Sequence, residues 1–426
     1  MNAQATVPDM TAIATQSTNG QATQSDRIVL LFDLSSTGHH PVFIRYLVRY
    51  WLETNQPGTL QVVVTSAFIE QCPDIVALAN SDQRVQFTAV TIAESEHVWS
   101  QKSLISLAWS MWRVFDRYAR ELKATQALLM YVDIFQIPLA LGAKSPCPLS
   151  GIYFRPTFHY EDFADYHPNW RDRFRAWRQK FLLAQALRHS QFQTLFSMDQ
   201  FAVPAIQKLQ PRVKVLPLAD PIAIENDETV LDIELFRQQL GIEPGRKVFL
   251  LFGKISARKG VLQVLDAIQS LPDEAAKQVC LLLIGQISAG ERSRVDARLA
   301  ALTNSPSQII VRDSYYDEPS LKAYLEIADV ILAPYQHHVG TCATMLRAAT
   351  VQKPVIVSNY GLMGELARHY HLGFVIDSTD VSEIARSLMN CLEEGVEIGD
   401  RDQMKQFAIA NLWTDYARTI VETIAL

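Results

Sequence analysis

The chain has 426 residues, of which 48% are hydrophobic and 20% are charged, a balance typical of a folded protein with two or three domains. The 39 lysines and arginines are outnumbered by 45 aspartates and glutamates, and the net charge of −6 argues against duplex nucleic acid as a partner. No apolar run is long enough to span a bilayer, and the five scattered cysteines form no CxxC pair, which indicates neither a zinc site nor a disulfide framework. The sequence therefore predicts a protein of the reducing cytoplasm.

The first 25 residues differ from the rest of the chain. Residues 1–25 are rich in Ala, Thr, Gln, Asn and Ser, and they lack the basic start and apolar core of a signal peptide. Because so little apolar surface cannot offset the entropy lost on ordering, we expect a disordered tail.

From residue 26 to residue 217, short apolar runs alternate with amphipathic stretches. The runs predict strands at 28–32, 60–64, 127–131, 151–154 and 213–216. Helices are predicted between them at 41–55, 101–123, 134–143, 168–188 and 198–209. Near-continuous apolar strands separated by helices indicate a parallel sheet that is covered on both faces. Residues 218–231 contain a proline and four acidic residues, and they are predicted to be a linker.

A second alternating series occupies residues 232–410. Its predicted strands are 248–252, 280–284, 309–311, 330–333, 355–357 and 374–376. Its predicted helices are 260–270, 290–302, 318–328, 341–350, 361–369 and 380–395. The chain is therefore predicted to be an α/β protein with two Rossmann-like, doubly wound domains that face each other across a cleft. Ligands of such domains lie at the carboxyl ends of the strands.

A loop rich in glycine and cations follows the first strand of the second domain and precedes a predicted helix. Its glycines are Gly253 and Gly260, and its cations are Lys254, Arg258 and Lys259. Glycine permits close backbone approach, a helix start offers free N–H groups, and cations neutralise phosphate charge. The pattern predicts a phosphate site, although the loop matches neither the P-loop nor the dinucleotide fingerprint, and a solvated basic turn is the alternative.

Gly340 and Thr341 lie where a second strand-exit loop becomes a helix, and Thr341 is predicted to cap that helix. The N–H groups at this helix start would face the same cleft as Lys254 and Lys259, and would hydrogen bond to a diphosphate from a second side. The alternative is a capped helix whose glycine is merely structural.

Taken together, these segments resemble the retaining glycosyltransferases of the GT-B fold, of the family-four type (glycosyl transferases group 1). The matching positions are Gly253-Lys254, Lys259-Gly260, Ala328-Asp329-Val330, Pro334, Gly340, Pro354-Val355-Ile356 and Gly361. The resemblance covers about residues 245–420, and the first domain only loosely. It implies transfer of a sugar, with retention, from a UDP-, GDP- or ADP-linked donor to a sugar or lipid-linked acceptor. It also implies that residues 411–426 form a terminal helix that crosses back onto the first domain.

The resemblance further implies that the leaving diphosphate takes the acceptor proton while the enzyme stabilises the charge that develops. Since nothing that resembles a metal-binding DxD motif or a Cys/His ligand set is found, we expect neither a metal nor another cofactor.

The sequence departs from the family at two positions. The family carries two glutamates eight residues apart, and here these positions hold Val339 and Arg347. In the family one glutamate lies near the donor sugar and the other contacts the ribose hydroxyls. Arg347 cannot accept a hydrogen bond from a hydroxyl, but it can pair with a phosphate or a carboxylate of the donor. The alternatives are therefore a rebuilt donor site or a non-catalytic GT-B binding or scaffold protein. A nucleotide-sugar epimerase of the same fold is a third hypothesis, but no convincing pair of acid and base carboxylates is found.

On the first domain, Gly38, His39 and His40 follow the first strand, where the family places a glycine loop at the acceptor side. Two adjacent imidazoles can donate to a phosphate or a sugar hydroxyl, or one is exposed while the other caps the helix. His159 follows a later strand, and its resemblance to a family histidine near the donor sugar makes it the candidate catalytic residue, orienting the reacting hydroxyl.

Residues 170–181 carry an aromatic strip at helical spacing, flanked by cations. The aromatic residues are Trp170, Phe174, Trp177 and Phe181, and the cations are Arg171, Arg173, Arg175, Arg178 and Lys180. Their spacing of i, i+4, i+7 and i+11 places the aromatics on one face of a helix. Such a strip suits peripheral contact with the inner face of a membrane, and the alternative is a helix that faces the core with solvated arginines.

Overall fold

The computed structural model describes residues 27–80, 82–224, 232–316 and 318–425. The predicted tail at 1–25 and residues 225–231 of the predicted linker lie outside these ranges.

The first domain is built on a seven-stranded sheet. Its strands are β1 (Ile28–Phe32), β2 (Thr59–Thr65), β3 (Val85–Val90), β4 (Gln126–Leu129), β5 (Leu149–Tyr153), β6 (Phe192–Ser197) and β7 (Lys214–Pro217). Its helices are α1 (His40–Glu53), α2 (Ser66–Gln71), α3 (Pro73–Ala79), α4 (Ile92–Trp99), α5 (Leu104–Glu121), α6 (Val132–Ala140), α7 (Trp170–Leu187) and α8 (Val203–Leu209). The strands are parallel and lie in the order β3-β2-β1-β4-β5-β6-β7.

The second domain is built on a six-stranded parallel sheet in the order β10-β9-β8-β11-β12-β13. Its strands are β8 (Lys247–Phe252), β9 (Val279–Ile284), β10 (Gln308–Arg312), β11 (Val330–Ala333), β12 (Val355–Ser358) and β13 (Gly373–Ile376). Its helices are α9 (Ile233–Leu240), α10 (Val261–Gln269), α11 (Asp273–Ala276), α12 (Arg292–Ala301), α13 (Glu318–Ile327), α14 (Ala343–Thr350), α15 (Gly361–His369), α16 (Val381–Leu392) and α17 (Arg401–Ala410). The predicted α/β class with two Rossmann-like parallel-sheet domains is therefore confirmed.

Both sheets are covered on both faces, as the continuous apolar strands predict. Along β1, Leu30 packs beneath α5 on one face, while Val29 packs beneath α1 on the other. Along β8, Leu250 packs into one core of the second domain, and Phe249 packs into the other core, on the opposite face of the sheet. Because the strands within each sheet are parallel, their carboxyl ends share one edge, and loops from these edges form the candidate site.

Two segments of chain cross between the domains side by side. Ile222 forms a parallel bridge with Leu412: the Ile222 N–H donates to the Asn411 carbonyl at 2.8 Å, and the Trp413 N–H donates back to the Ile222 carbonyl at 3.0 Å. After this crossing, helix α18 (Trp413–Ala425) buries Tyr416 and Ile420 in the core of the first domain. We call residues 218–222 and 411–413 the crossing segments.

The domains also touch through aromatic side chains. Tyr160 and Phe163 follow β5, but they pack into the core of the second domain. A Cβ at Gly361 would lie 2.7 Å from the ring of Tyr160, so glycine is what permits this approach, and its φ of 62° also favours glycine. An Arg368–Asp165 ion pair lies beside this contact.

Candidate functional site

The loop that follows β8 has the backbone shape expected of a ligand-binding turn. Gly253 has a φ of 95°, and its N–H donates to the Ile284 carbonyl at 2.9 Å. Gly260 has a φ of 74° and starts α10. A Cβ at Gly260 would lie 2.2 Å from the carbonyl oxygen of Pro334, so glycine lets this loop approach the one that follows β11.

Lys259 is a buried cation, and no carboxylate in the described part of the chain forms an ion pair with it. It is 8% exposed, its Nζ donates to the Phe252 carbonyl, and the same atom lies 5.2 Å from the ring centre of Tyr335. Burial, together with the charges of Arg258 and Arg347, lowers the pKa of Lys259 to about 8. A cation in this environment gains more than a solvated one when a phosphate arrives.

The other predicted cations lie around Lys259. Arg258 is exposed, its guanidinium lies 5.1 Å from the ring centre of Tyr335, and its Nη1 is 3.4 Å from His338 Nδ1. Arg347, on α14, is half-buried and close enough for its charge to act on Lys259. Lys254 is exposed at the start of the loop. The structure thus brings Arg258, Lys259 and Arg347 together.

Gly340 and Thr341 lie at the start of α14, but the predicted cap is wrong. The helix begins at Ala343 and its N-cap residue is Cys342, which makes no side-chain cap hydrogen bond. The Thr341 side chain instead hydrogen bonds to Asp220 in the crossing segments, and the Thr341 carbonyl accepts from His338 Nε2 at 3.1 Å. Thr341 therefore precedes the N-cap residue, and its side chain is engaged by Asp220 instead of by the first N–H groups of the helix.

The backbone conformation at position 340 favours glycine. Its φ is 99°, and a Cβ there would meet no atom within 4 Å. The backbone is therefore left-handed beside open space, which leaves room for a ligand at this loop. Val339, at the position of the family's first glutamate, is partly buried against the core of the second domain.

Across the cleft, the loop after β1 holds Gly38, His39 and His40. Gly38 has a φ of 68°, and no atom lies within 4 Å of the place its Cβ would take. His40 Nδ1 lies 2.7 Å from Oδ2 of the buried Asp33. His39 is the N-cap residue of α1 without a side-chain cap hydrogen bond, and its ring stacks on His40 at 4.4 Å. Desolvation, with the charges of His40 and Arg155, lowers the pKa of His39 to about 4, so this imidazole is neutral at neutral pH.

Three further residues of this wall were not singled out from the sequence. Asp133 follows β4, accepts a hydrogen bond from the Phe154 N–H at 3.1 Å, and has its pKa raised to about 6 by burial. Burial also raises the pKa of Tyr131 to about 12. Arg155 is exposed after β5, and its charge lowers the pKa of His338 on the opposite domain. The available signal was position, since Tyr131 ends a predicted strand, and Asp133 and Arg155 follow predicted strands.

His159 lies behind the cleft wall. It is 5% exposed, its Nε2 is 3.0 Å from Asp199 Oδ2, and its ring packs against those of Phe158, Tyr160 and Phe163. Asp199 in turn accepts the N–H of Phe201 at 2.9 Å. His159 and Asp199 thus form a buried contact where the two domains meet, and the catalytic role of His159 stays a prediction.

Helix α7 presents its aromatic strip to solvent, so the core-facing alternative is wrong. Trp170 is 74% exposed, Phe174 58%, Trp177 61% and Phe181 51%. The five flanking cations are exposed too. The helix buries the opposite face, through Leu183, Ala186 and Leu187. No helix in the described ranges is long and apolar enough to cross a bilayer.

Comparison with known proteins decides the nature of the second domain. Residues 232–410 match the model of the family described as Glycosyl transferases group 1. Residues 232–410 form a glycosyl transferases group 1 domain. A lipopolysaccharide 1,2-N-acetylglucosaminetransferase of Salmonella typhimurium is 22% identical over 184 residues, which are 42% of this chain and 47% of that protein. This match therefore spans about half the length of that relative.

Solved structures show the fold of the whole chain. HepE of Anabaena, in complex with UDP, is 17% identical with a TM-score of 0.64, covering 94% of this chain and 99% of that one. A glycosyltransferase from Rickettsia africae is 12% identical with a TM-score of 0.65, covering 94% and 98%. The two-domain architecture is the GT-B fold. The group 1 domain and this fold together support a glycosyltransferase enzyme.

Proposed function

We propose that this protein transfers a sugar, with retention of anomeric configuration, from a nucleoside diphosphate donor to a sugar or lipid-linked acceptor. The observation that carries the proposal is the group of Arg258, Lys259 and Arg347 beside the left-handed loop at Gly340, all within the group 1 domain. A diphosphate bound there supplies a negatively charged partner for the buried ammonium of Lys259.

The cations also account for catalysis of the proposed step. Charge builds up on the diphosphate as its bond to the sugar breaks, and groups already fixed at that position stabilise it without rearranging. Lys254, Arg258, Lys259 and the N–H groups near Gly340 and Thr341 are proposed to do this. Arg347 extends the same group, which favours a donor with extra negative charge near α14, either on a phosphate or on an acidic sugar.

The donor is tested by titrating the protein calorimetrically with UDP, GDP and ADP, first with EDTA and then with magnesium. We expect micromolar binding of one nucleotide in EDTA, because the charge is neutralised by side chains. Turnover of the corresponding sugar nucleotides, with the anomeric configuration of the product read by NMR, then tests transfer and retention. Binding without turnover would favour the scaffold alternative that the replacement of both family glutamates suggests, and an inverted product would refute retention alone.

We further propose that α7 places the enzyme on an anionic membrane surface, where a lipid-linked acceptor would lie. Exposed tryptophans beside arginines match the apolar boundary and the anionic headgroups of such a surface. Sedimentation with phosphatidylcholine vesicles, with and without phosphatidylglycerol, tests this. We expect binding only to the anionic vesicles, loss of binding in Trp170→Ser/Trp177→Ser, and no loss in Tyr315→Ser, where the aromatic residue removed is 84% exposed on the other domain. Equal binding of all three proteins would refute the proposal.

A further inference from the structure

Arg155 lies in a segment of the first domain that is fastened on both sides. The segment follows β5, and the carboxylate of Asp133 accepts the N–H of Phe154 at 3.1 Å. On the other side, the side chain of Gln179 on α7 accepts the N–H of Thr157 at 2.9 Å and donates an N–H to the carbonyl of Arg155. The backbone at Arg155 is therefore fixed, while its side chain is exposed.

The guanidinium of Arg155 forms neither a hydrogen bond nor an ion pair with any residue in the described ranges. Its charge acts on Asp133, but that carboxylate accepts the backbone N–H groups of Phe154 and Arg155 and forms no ion pair with the guanidinium. Asp133 thus holds the backbone of the segment and leaves the cation at its tip available to a ligand.

On the first-domain side, Arg155 faces open space. The ring of Phe154, the preceding residue, lies 4.8 Å from that of His39 and 5.0 Å from that of Tyr131. The charge of Arg155 acts on His39. Next to His39, Gly38 has a φ of 68°, and no atom lies within 4 Å of the place its Cβ would take. The guanidinium therefore shares this wall with a loop that leaves room for a ligand.

On the second-domain side, cations of both domains converge on His338. Nη1 of Arg258 is 3.4 Å from Nδ1 of His338. The charges that act on this imidazole are those of Arg258, Arg155 and Lys259. Gly340, two residues further on, also has open space where its Cβ would lie. Like charges gathered around one side chain repel one another, and an anion placed among them removes that repulsion.

We propose that Arg155 is a catalytic residue supplied by the first domain, and that it donates hydrogen bonds across the cleft to the diphosphate held by Arg258 and Lys259. The inference rests on the proposed transfer function and adds one residue to its site. In that transfer the acceptor oxygen bonds to the anomeric carbon, and the bond from that carbon to the diphosphate oxygen breaks. The diphosphate leaves with the electron pair and takes the acceptor proton, while Arg155 stabilises the charge that builds up on it.

The chemistry and the setting of Arg155 both suit this role. A guanidinium stays charged, and it presents two parallel N–H groups to the oxygens of a phosphate. Because Asp133 and Gln179 already fix the backbone, the cation needs little rearrangement when the charge develops. Since Arg258 and Lys259 belong to the second domain, a diphosphate that also contacts Arg155 favours the arrangement in which the two domains lie close together.

The role is tested with Arg155→Gln, which removes the charge and keeps a polar side chain. The matched control is Arg113→Gln, because Arg113 is an exposed arginine on α5 of the same domain. For whichever of UDP, GDP and ADP the wild type binds, we expect Arg155→Gln to weaken the calorimetric Kd by about 10-fold or more. With the matching sugar nucleotide, we expect kcat to fall by about 100-fold or more. The control should behave as wild type, and urea unfolding should show neither variant to be less stable.

NMR tests the contact directly in the intact protein. The Nε–H signal of Arg155 is assigned by its absence from Arg155→Gln. We expect this signal to shift when the nucleoside diphosphate is added and to stay in place with the nucleoside alone, which carries no phosphate.

A wild-type Kd and kcat in Arg155→Gln, or an Arg155 signal that the diphosphate does not move, would overturn the inference and leave the proposed transferase function standing. A lower kcat with an unchanged Kd and an unmoved signal would assign Arg155 to the acceptor and would overturn the inference as well. A wild-type protein that binds no nucleotide and turns over no sugar nucleotide would overturn both the inference and the proposed function.

Discussion

Replacing Lys259 with methionine should stabilise the protein and weaken nucleotide binding at the same time. Methionine has a similar length and no charge, so Lys259→Met removes the ammonium while largely filling the same buried space. The two effects have opposite signs because the ammonium is poorly solvated until a phosphate binds beside it.

The size of the stability effect follows from the pKa of Lys259. Burial lowers it from 10.5 to about 8, which corresponds to about 3 kcal/mol of unfavourable energy for the charged form. Methionine also loses the hydrogen bond from Nζ to the Phe252 carbonyl, worth about 1 kcal/mol, and the contact with the Tyr335 ring, worth about 0.5–1 kcal/mol. A net gain of about 1–2 kcal/mol in the free energy of unfolding remains at pH 7.

The pH dependence has a defined sign. Below pH 8 the folded wild type carries the full penalty of its charged lysine. Between pH 8 and pH 10.5 the unfolded chain binds more protons at this residue than the folded protein, so wild-type stability rises relative to the variant. The advantage of Lys259→Met should therefore shrink across this window.

Urea unfolding at several pH values and calorimetric titration with whichever of UDP, GDP and ADP the wild type binds check both effects. Loss of one charge-assisted contact to phosphate corresponds to about 1.5–3 kcal/mol, or roughly a 10- to 100-fold weaker Kd. Lys405→Met is the matched control, since Lys405 is exposed on α17 and should change neither quantity. A variant with wild-type affinity for that nucleotide would refute the phosphate role, and a variant less stable at pH 7 would refute the burial argument.

Two further predictions concern the domain contact and the crossing segments. In thermal unfolding, Gly361→Ala should lower the free energy of unfolding by about 1–3 kcal/mol, since the added Cβ meets the Tyr160 ring. The matched control is Gly38→Ala, where φ is similar but the added Cβ lies in open space. This variant should lower the free energy of unfolding by only about 1 kcal/mol. Equal losses would show that φ alone matters. Because burial raises the pKa of Asp220 to about 6, the folded protein binds more protons between pH 4 and pH 6 and loses stability as pH rises there. Asp220→Asn still accepts from Thr341 and should flatten this slope; an unchanged slope in urea unfolding would contradict the assignment.

The architecture could be read from the sequence because parallel strands buried on both faces are continuous apolar runs. All eleven predicted strands are present, while β3 and β6 were missed. In β3, Gln86 and Thr88 break the apolar run because this strand lies at the edge of its sheet, and in β6 the run is broken by Gln193 and Thr194. Periodicity thus identified the uninterrupted strands and overlooked those with polar residues.

The candidate site was predictable only in part. Loops rich in glycine and cations are local in sequence, so Gly253, Lys259 and Gly340 could be singled out from their spacing. Whether Arg347 lies near Lys259, or Asp33 beside His40, depends on side-chain packing that no spacing specifies. The wrong cap at Thr341 has the same origin, because its partner Asp220 lies 121 positions earlier in the chain. Whether the aromatic strip of α7 faces solvent or the core could not be predicted for a similar reason. The spacing shows which residues share a face of the helix, but not whether that face packs against the protein.

The paired crossing segments limit how the cleft can open and close. Because the second domain is joined to the first through two crossing segments that are bridged at Ile222 and Leu412, it cannot swivel about a single bond. Thr341 hydrogen bonds to Asp220 and therefore lies beside the crossing segments, where a rotation of the second domain would displace it least. Because the β8 loop and the Gly340 loop both belong to the second domain, closure would carry a diphosphate held between them as one body toward the first-domain loop of Gly38, His39 and His40.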